Sequence, residues 1–152
     1  LFYSITPNYP KSLPVSNNVA KIGSAADFIT FRSTIAENTT YSGITVNLTT
    51  DIDLTGYDLK HYDRSDAKAF CGTFDGNNHT IKGLKDTSAT CGGLFRTLGN
   101  GANIKNLTIS GATVGGGTGK DNTRFGILAS AFAYYTTTGS FASVWLSEHS
   151  EQ

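Results

Sequence analysis

One segment of this chain occurs twice. Gly72-Thr73-Phe74 leads through a Gly/Asn cluster to Ile81-Lys82-Gly83-Leu84, and Gly93-Leu94-Phe95 leads through another to Ile104-Lys105-Asn106-Leu107. With these units aligned, Leu84 and Leu107 lie 23 residues apart. A period in this range marks an array whose copies bury their apolar faces against one another. Each copy carries short strands and no helix. The expected fold is all-β: a short parallel β-helix (β-solenoid) of about four coils, with Phe74 over Phe95 and Leu84 over Leu107 inside. At about 4.8 Å per coil such a stack rises on the order of 20 Å.

The rest of the chain fits that frame. Ser24 is an N-cap candidate with Asp27 three positions on, and Phe28, Phe31 and Ile35 share one helical face, so a helix is expected at 24–36, capping the open end of the first coil. Ile44, Val46 and Leu48 alternate with Thr45, Asn47 and Thr49, and the phase changes before Ile52 and Leu54, as where a strand turns a corner. Asp75-Gly76 marks a tight turn. Residues 1–21 hold all three prolines and read as an extended leader or linker; 22–146 are the β-helix domain and 147–152 a frayed tail. Residues 55–69 and 110–123 read as projecting loops. Phe125-Gly126-Ile127-Leu128 and Phe141-Ala142-Ser143-Val144 form a weaker last copy, aligned with Gly93-Leu94-Phe95 and with Ile104-Lys105-Asn106-Leu107. No strong C-terminal cap is visible, so continuation past Gln152 or cover by another subunit is expected.

Composition narrows the function classes. The chain has 152 residues, 38% apolar and 16% charged, with 17 Gly, a mix that suits turn-rich β structure. Twelve basic and twelve acidic residues cancel, so bulk charge gives no reason to expect nucleic-acid binding. No apolar run approaches spanning length, and no membrane insertion is expected. The absence of Met suits a mature or trimmed piece of a larger parent protein. Low charge with abundant Thr, Asn and Gly points to an extracellular or cell-surface location.

The runs Leu48-Thr49-Thr50-Asp51-Ile52-Asp53-Leu54, 72–84 and Gly92-Gly93-Leu94-Phe95 through Ile104-Lys105-Asn106-Leu107-Thr108-Ile109, with Ala26-Asp27-Phe28 in the preceding helix, resemble a known group. They are similar to the repeats of bacterial surface proteins that carry GLUG-type and filamentous-haemagglutinin-like right-handed parallel β-helices. The resemblance covers roughly residues 22–146. It implies an extracellular, often adhesive, surface protein. Ser130-Ala131-Phe132 departs from the pattern where a glycine-rich turn is expected.

Candidate chemistry is sparse. Asp51, Asp53 and Asp75 could come together as calcium ligands or a catalytic pair; alternatively Asp51 and Asp53 bond backbone N–H groups at a corner, while Asp75 sets its turn. Repeat residues usually encode scaffold, which favours the second reading, with no cofactor and no catalysis. Cys71 and Cys91 precede the two Gly-x-Phe units; stacked in register they could form a disulfide, or pack as two small thiols. The run Gly115-Gly116-Gly117-Thr118-Gly119-Lys120 is followed by Asp121, not the Ser/Thr a phosphate loop needs. Four sequons start at Asn38, Asn47, Asn78 and Asn106; Asn106 also suits a side-chain ladder between coils. Glycan binding would fall to Tyr57, His61, Tyr62, Tyr134 and Tyr135, with other protein chains or host or surface glycans as partners; these aromatics could equally cover coil ends. The expected function is a non-catalytic surface module for adhesion or structural assembly. The alternatives are a fragment of a polysaccharide-processing β-helix enzyme, or a filament or surface-layer subunit stacking as a homo-oligomer through its uncapped ends.

Overall fold

The computed structural model describes residues 12–36, 39–62, 69–87, 91–115, 124–125, 129–132, 139–140 and 144–147. Among these residues the fold is mainly β, with one α-helix. Strands β1 (Val15–Ser16) and β2 (Val19–Ile22) form an antiparallel hairpin. Asn17 and Asn18 turn it at φ 51° and 61°, the left-handed pair that a two-residue hairpin needs and that asparagine tolerates. Residues 13–21 are therefore not a leader. Ala20 and Ile22 are fully buried, and Leu13 is buried beside them.

Strand β2 begins a long parallel ladder. It pairs with β3 (Thr45–Leu48), which pairs with β5 (Thr73–Lys82); β5 pairs with β9 (Ala102–Ser110), and β9 with β13 (Gly139–Ser140) and β14 (Val144–Ser147). Short β4 (Ile52–Asp53) extends β3 beyond a break and pairs with the second half of β5. Inward positions stack by register: Ala20, Val46, Phe74 and Ile104 on one side of the break, Ile52, Ile81 and Ile109 on the other. All seven are essentially inaccessible. Their neighbours point outward, as period-two alternation requires.

Three further parallel pairs follow in chain order. Strand β6 (Lys85–Asp86) pairs with β10 (Thr113–Val114), β7 (Cys91–Gly92) with β11 (Arg124–Phe125), and β8 (Phe95–Leu98) with β12 (Ala129–Phe132). Residues 113–114 are thus strand, within a stretch expected as a projecting loop. Gly83 (φ 72°) and Gly111 (φ 66°) turn the chain after β5 and β9, one beside the other.

This register corrects the expected stacking. Phe74 lies opposite Ile104, not Phe95, and Leu107 lies opposite His79, not Leu84. The two Ile-Lys-x-Leu runs occupy different places along the path: Ile81-Lys82 follows the break in the long sheet, whereas Ile104-Lys105 precedes it. Phe74 and Phe95 still touch edge to face at 5.4 Å between centroids, but across the interior rather than along a ladder. The later alignment of Val144 with Leu107 matches the observed register.

Helix α1 (Ala25–Ala36) joins β2 to β3. Ser24 caps it, its Oγ accepting the Asp27 N–H at 3.1 Å, while Asp27 Oδ2 reaches back to the Gly23 N–H at 2.9 Å. Such a cap contributes about 1 kcal/mol. The expected face of Phe28, Phe31 and Ile35 is buried, and so are Ile29, Thr30, Arg32 and Thr34. The long sheet gains two rungs before β6, β7 and β8 begin; α1 fills the interior there. Phe31 is the hub, meeting Phe28, Tyr41, Phe70, Phe74 and Phe95 at centroid distances of 5.2–6.1 Å. Each such pair adds about 0.5–1.5 kcal/mol beyond its area burial. Thr34 gives its hydroxyl hydrogen to the Phe31 carbonyl at 2.8 Å and accepts from the Tyr41 hydroxyl at 2.6 Å. Burial pushes the Tyr41 hydroxyl above its ordinary pKa, and the Thr34 bond pulls the other way.

Candidate functional site

The polar residues singled out in the sequence gather at the break in the long sheet. Between Asp75 and His79 strand β5 carries two residues more than β9 does between Lys105 and Leu107. Asn77 (φ 52°), Asn78 (φ 63°) and, on β9, Asn106 (φ 53°) take left-handed conformations there. Asn tolerates this region at a cost β-branched residues could not meet. Gly76 is dictated by proximity: a Cβ there would lie 2.3 Å from the Asn106 carbonyl oxygen.

Asp51 and Asp75 are held at this corner, and Asp53 just past it. Asp75 Oδ1 accepts the Asn77 N–H at 2.8 Å, an Asx turn, and the Asn106 Nδ2 amide at 3.1 Å from the next rung. Asp51 Oδ1 accepts the Thr80 N–H at 3.0 Å and lies 3.2 Å from His79 Nδ1. Those bonds, the backbone one first, hold its carboxyl below the usual range. Asp53 accepts its own Thr55 N–H at 2.9 Å and faces Lys82 Nζ at 3.6 Å; the Thr55 hydroxyl and N–H lower its pKa, and Lys82 adds to that. Asp58 was not anticipated. Its partial burial raises the carboxyl, but the Thr87 hydroxyl and N–H, with Lys60, outweigh that, and the net shift is downward. The sequence sign for Asp58 was the Thr55-Gly56-Tyr57-Asp58 turn before a short 3-10 segment (Leu59–Tyr62).

These carboxylates act as inter-rung clamps. Asp51 ties β5 to the segment before β4, Asp75 ties β5 to β9, and Asp58 ties the 3-10 segment to the end of β6. No three His, Cys, Asp or Glu residues converge as a metal cluster among the described residues. Asp51, Asp53 and Asp75 each accept a backbone N–H, as the corner-bonding alternative describes. Asn106 does bond across rungs, with Asp75 rather than another Asn as its partner.

The remaining expected residues fall elsewhere. Tyr57 is half-buried and packs against the core. The side chains of His61 and Tyr62, all of Tyr134 and Tyr135, and Asn38 lie outside the described residues. The Cys71–Cys91 bridge is not formed: Cys71 is a free thiol. Its sulfur lies close against Gly99, because Phe70 pairs with Leu98 and the Gly72 carbonyl accepts from Asn103. Cys91, in β7, pairs with Arg124. Burial raises the Cys71 thiol above its ordinary pKa, which makes it a poorer nucleophile at neutral pH. A concavity of about 300 Å³ runs beside it, between Ser42, Thr45, Thr73 and Asn100. A larger one, about 690 Å³, opens between the β1–β2 hairpin and Asp27.

Arg32 was missed altogether. It is buried in α1, 3.7 Å from Asp86, also buried; its Nη2 donates to the Gly93 carbonyl at 3.3 Å, and Asp86 accepts the Gly93 N–H at 3.1 Å. Helix, β6 and the turn before β8 are thus joined through one charged pair.

Comparison with known proteins finds a partial likeness. A stretch of 51 residues is 45% identical to halomucin of Haloquadratum walsbyi, covering 32% of this chain and 1% of that protein. The chain spans about 1% of the length of the curated relative it matches. No family model matches, and no solved structure matches. No described helix is long and apolar enough to cross a membrane.

Proposed function

We propose that this chain is a non-catalytic module of an extracellular or cell-surface protein, wound as a short right-handed parallel β-helix and serving adhesion or structural assembly. The winding is supported by the order of the ladders: β5, β6, β7 and β8 pair in parallel with β9, β10, β11 and β12 in the same sequence. The right hand follows from the general rule for parallel crossovers. The observation that carries the non-catalytic reading is the commitment of Asp51, Asp53 and Asp75 to N–H groups of the scaffold. The partial likeness to a protein named as a mucin supports the surface location, as does the low charge content. The kinship with GLUG-type and haemagglutinin-like repeats remains part of this reading.

The face best suited to a partner is the outside of the long sheet. Lys21, Asn47, Asp75 and Lys105 lie in one register column, and Thr45, Thr73 and Asn103 in the next. Amide, hydroxyl and charged groups in flat rows suit sugar hydroxyls or another polar protein surface. The test is a glycan array run beside a reducing-end assay on acidic and neutral polysaccharides. Binding that weakens in Lys21→Ala/Lys105→Ala, with no release of reducing ends, is the expected result. Saturable release of reducing ends overturns the proposal.

A further inference from the structure

The four sequons are not equivalent in the fold, and three begin within the described residues. Asn47 sits inside β3, its backbone paired on one side with β2 and on the other with β5, and it is half-buried. Asn106 is half-buried, and its Nδ2 already donates to Asp75 Oδ1 at 3.1 Å. Asn78 differs on each count. It is exposed, lies on the two-residue excess of β5 where the register with β9 is interrupted, and has a left-handed backbone at φ 63°. No described group holds its side chain by a hydrogen bond. The following His79 and Thr80 are fixed by Asp51, through the imidazole and the Thr80 N–H. The acceptor amide is thus free, while the Thr that defines the sequon is held in a constant place two residues on.

We infer that Asn78 is an acceptor for an N-linked glycan, and that Asn47 and Asn106 are sequons the fold withholds. The reaction is a group transfer from a glycan carried as a polyprenyl phosphate or pyrophosphate. Asn78 Nδ2 attacks the anomeric carbon, a C–N bond replaces the C–O bond to phosphate, and the lipid phosphate leaves with the electron pair. One amide proton passes to a base of the transferase. A glycan on this bulge projects from the corner without breaking a ladder bond. The same group on Asn106 displaces the amide from Asp75 and removes that side-chain tie between β5 and β9.

This inference rests on the extracellular reading, and the experiment keeps the two apart. The whole chain is secreted from an N-glycosylating host in an Asn38→Gln background and read by intact mass and peptide mapping. Variants are Asn78→Asp, which keeps a residue type suited to left-handed backbone, and Thr80→Val, which keeps the Thr80 N–H but destroys the sequon. Both are expected to lose one glycan mass and to keep the thermal midpoint of the deglycosylated parent. Asn47→Asp and Asn106→Asp are expected to leave the glycan mass unchanged. A glycan mapped to Asn47 or Asn106 with Asn78 bare overturns the inference, as does an unmodified chain beside a modified control protein. Surface biotinylation of cells making the native protein scores location separately; an internal protein sinks the surface reading and leaves the acceptor result standing.

Discussion

Arg32 and Asp86 carry opposite charges into a core built mainly of phenylalanine, leucine and isoleucine. Removing one member leaves the other charged and dry, which costs about 3–5 kcal/mol. Asp86→Asn is therefore expected to lose about that much in urea unfolding, whereas Arg32→Met/Asp86→Leu regains part of it. A loss under about 1 kcal/mol for the single variant would show that the pair is solvated in solution. The sequence hid this pair for a simple reason. An arginine between Phe31 and Ile35 reads as a solvated edge of an amphipathic helix, and its partner is 54 residues away, past β3, β4 and β5. By contrast the Ser24 cap, the Phe28–Phe31–Ile35 face and the turn at Asp75 were legible, because each rests on bonds or spacings within a few residues. Cys71 shows the same limit from the other side: its neighbour is set by register, not by the motif that follows it.

Among elements, alternation over 44–54 identified Val46, Leu48 and Ile52 as facing inward in β3 and β4, since period two is a local property of a strand. Register was legible for Val144 against Leu107 but not between β5 and β9. The repeated Ile-Lys-x-Leu run invited an alignment by motif, but β5 contains a two-residue bulge, so the ladder aligns Ile81 with Ile109. The hairpin at 15–22 was present as Asn17-Asn18 between Val15 and Val19 and was obscured by the prolines before it. The pairing of β6 with β10 is the most direct check on continuous winding. Lys85 and Thr113 are register partners and both exposed. In a background of Cys71→Ser and Cys91→Ser, Lys85→Cys/Thr113→Cys is expected to form a disulfide under mild oxidation, seen as a mass loss of two hydrogens and faster migration on non-reducing gels. Failure to cross-link, with the fold intact by circular dichroism, would mean that the chain does not return along this second face.

At the scale of the molecule, hydrogen-bonded carboxylates make stability sensitive to acid in a defined direction. Asp51, Asp53 and Asp58 have folded pKa values below their ordinary ones. Their contribution is present above the unfolded value, about 3.9, and is lost as pH falls through the depressed folded values. The thermal midpoint is expected to be flat through mildly acidic pH and to drop below about pH 4. Salt should soften the ionic part of the effect, since all three are solvent-accessible. Asp51→Asn/Asp53→Asn/Asp58→Asn should flatten the drop; an unchanged acid limb in that variant would assign it to other groups.

The ladders also bear on how such a chain reaches its native state. Apart from the β1–β2 hairpin, the paired strands join residues more than two dozen positions apart, as with Ala20 and Val46 or Ile81 and Ile109. Pairings of this kind give a high contact order and slow folding. The hairpin and the capped helix, which close locally, are the natural first structure, and each later strand then needs only one preformed edge as a template. Assembly would run from the amino-terminal side toward the other, one turn of chain at a time, an order compatible with a polypeptide that emerges as a thread.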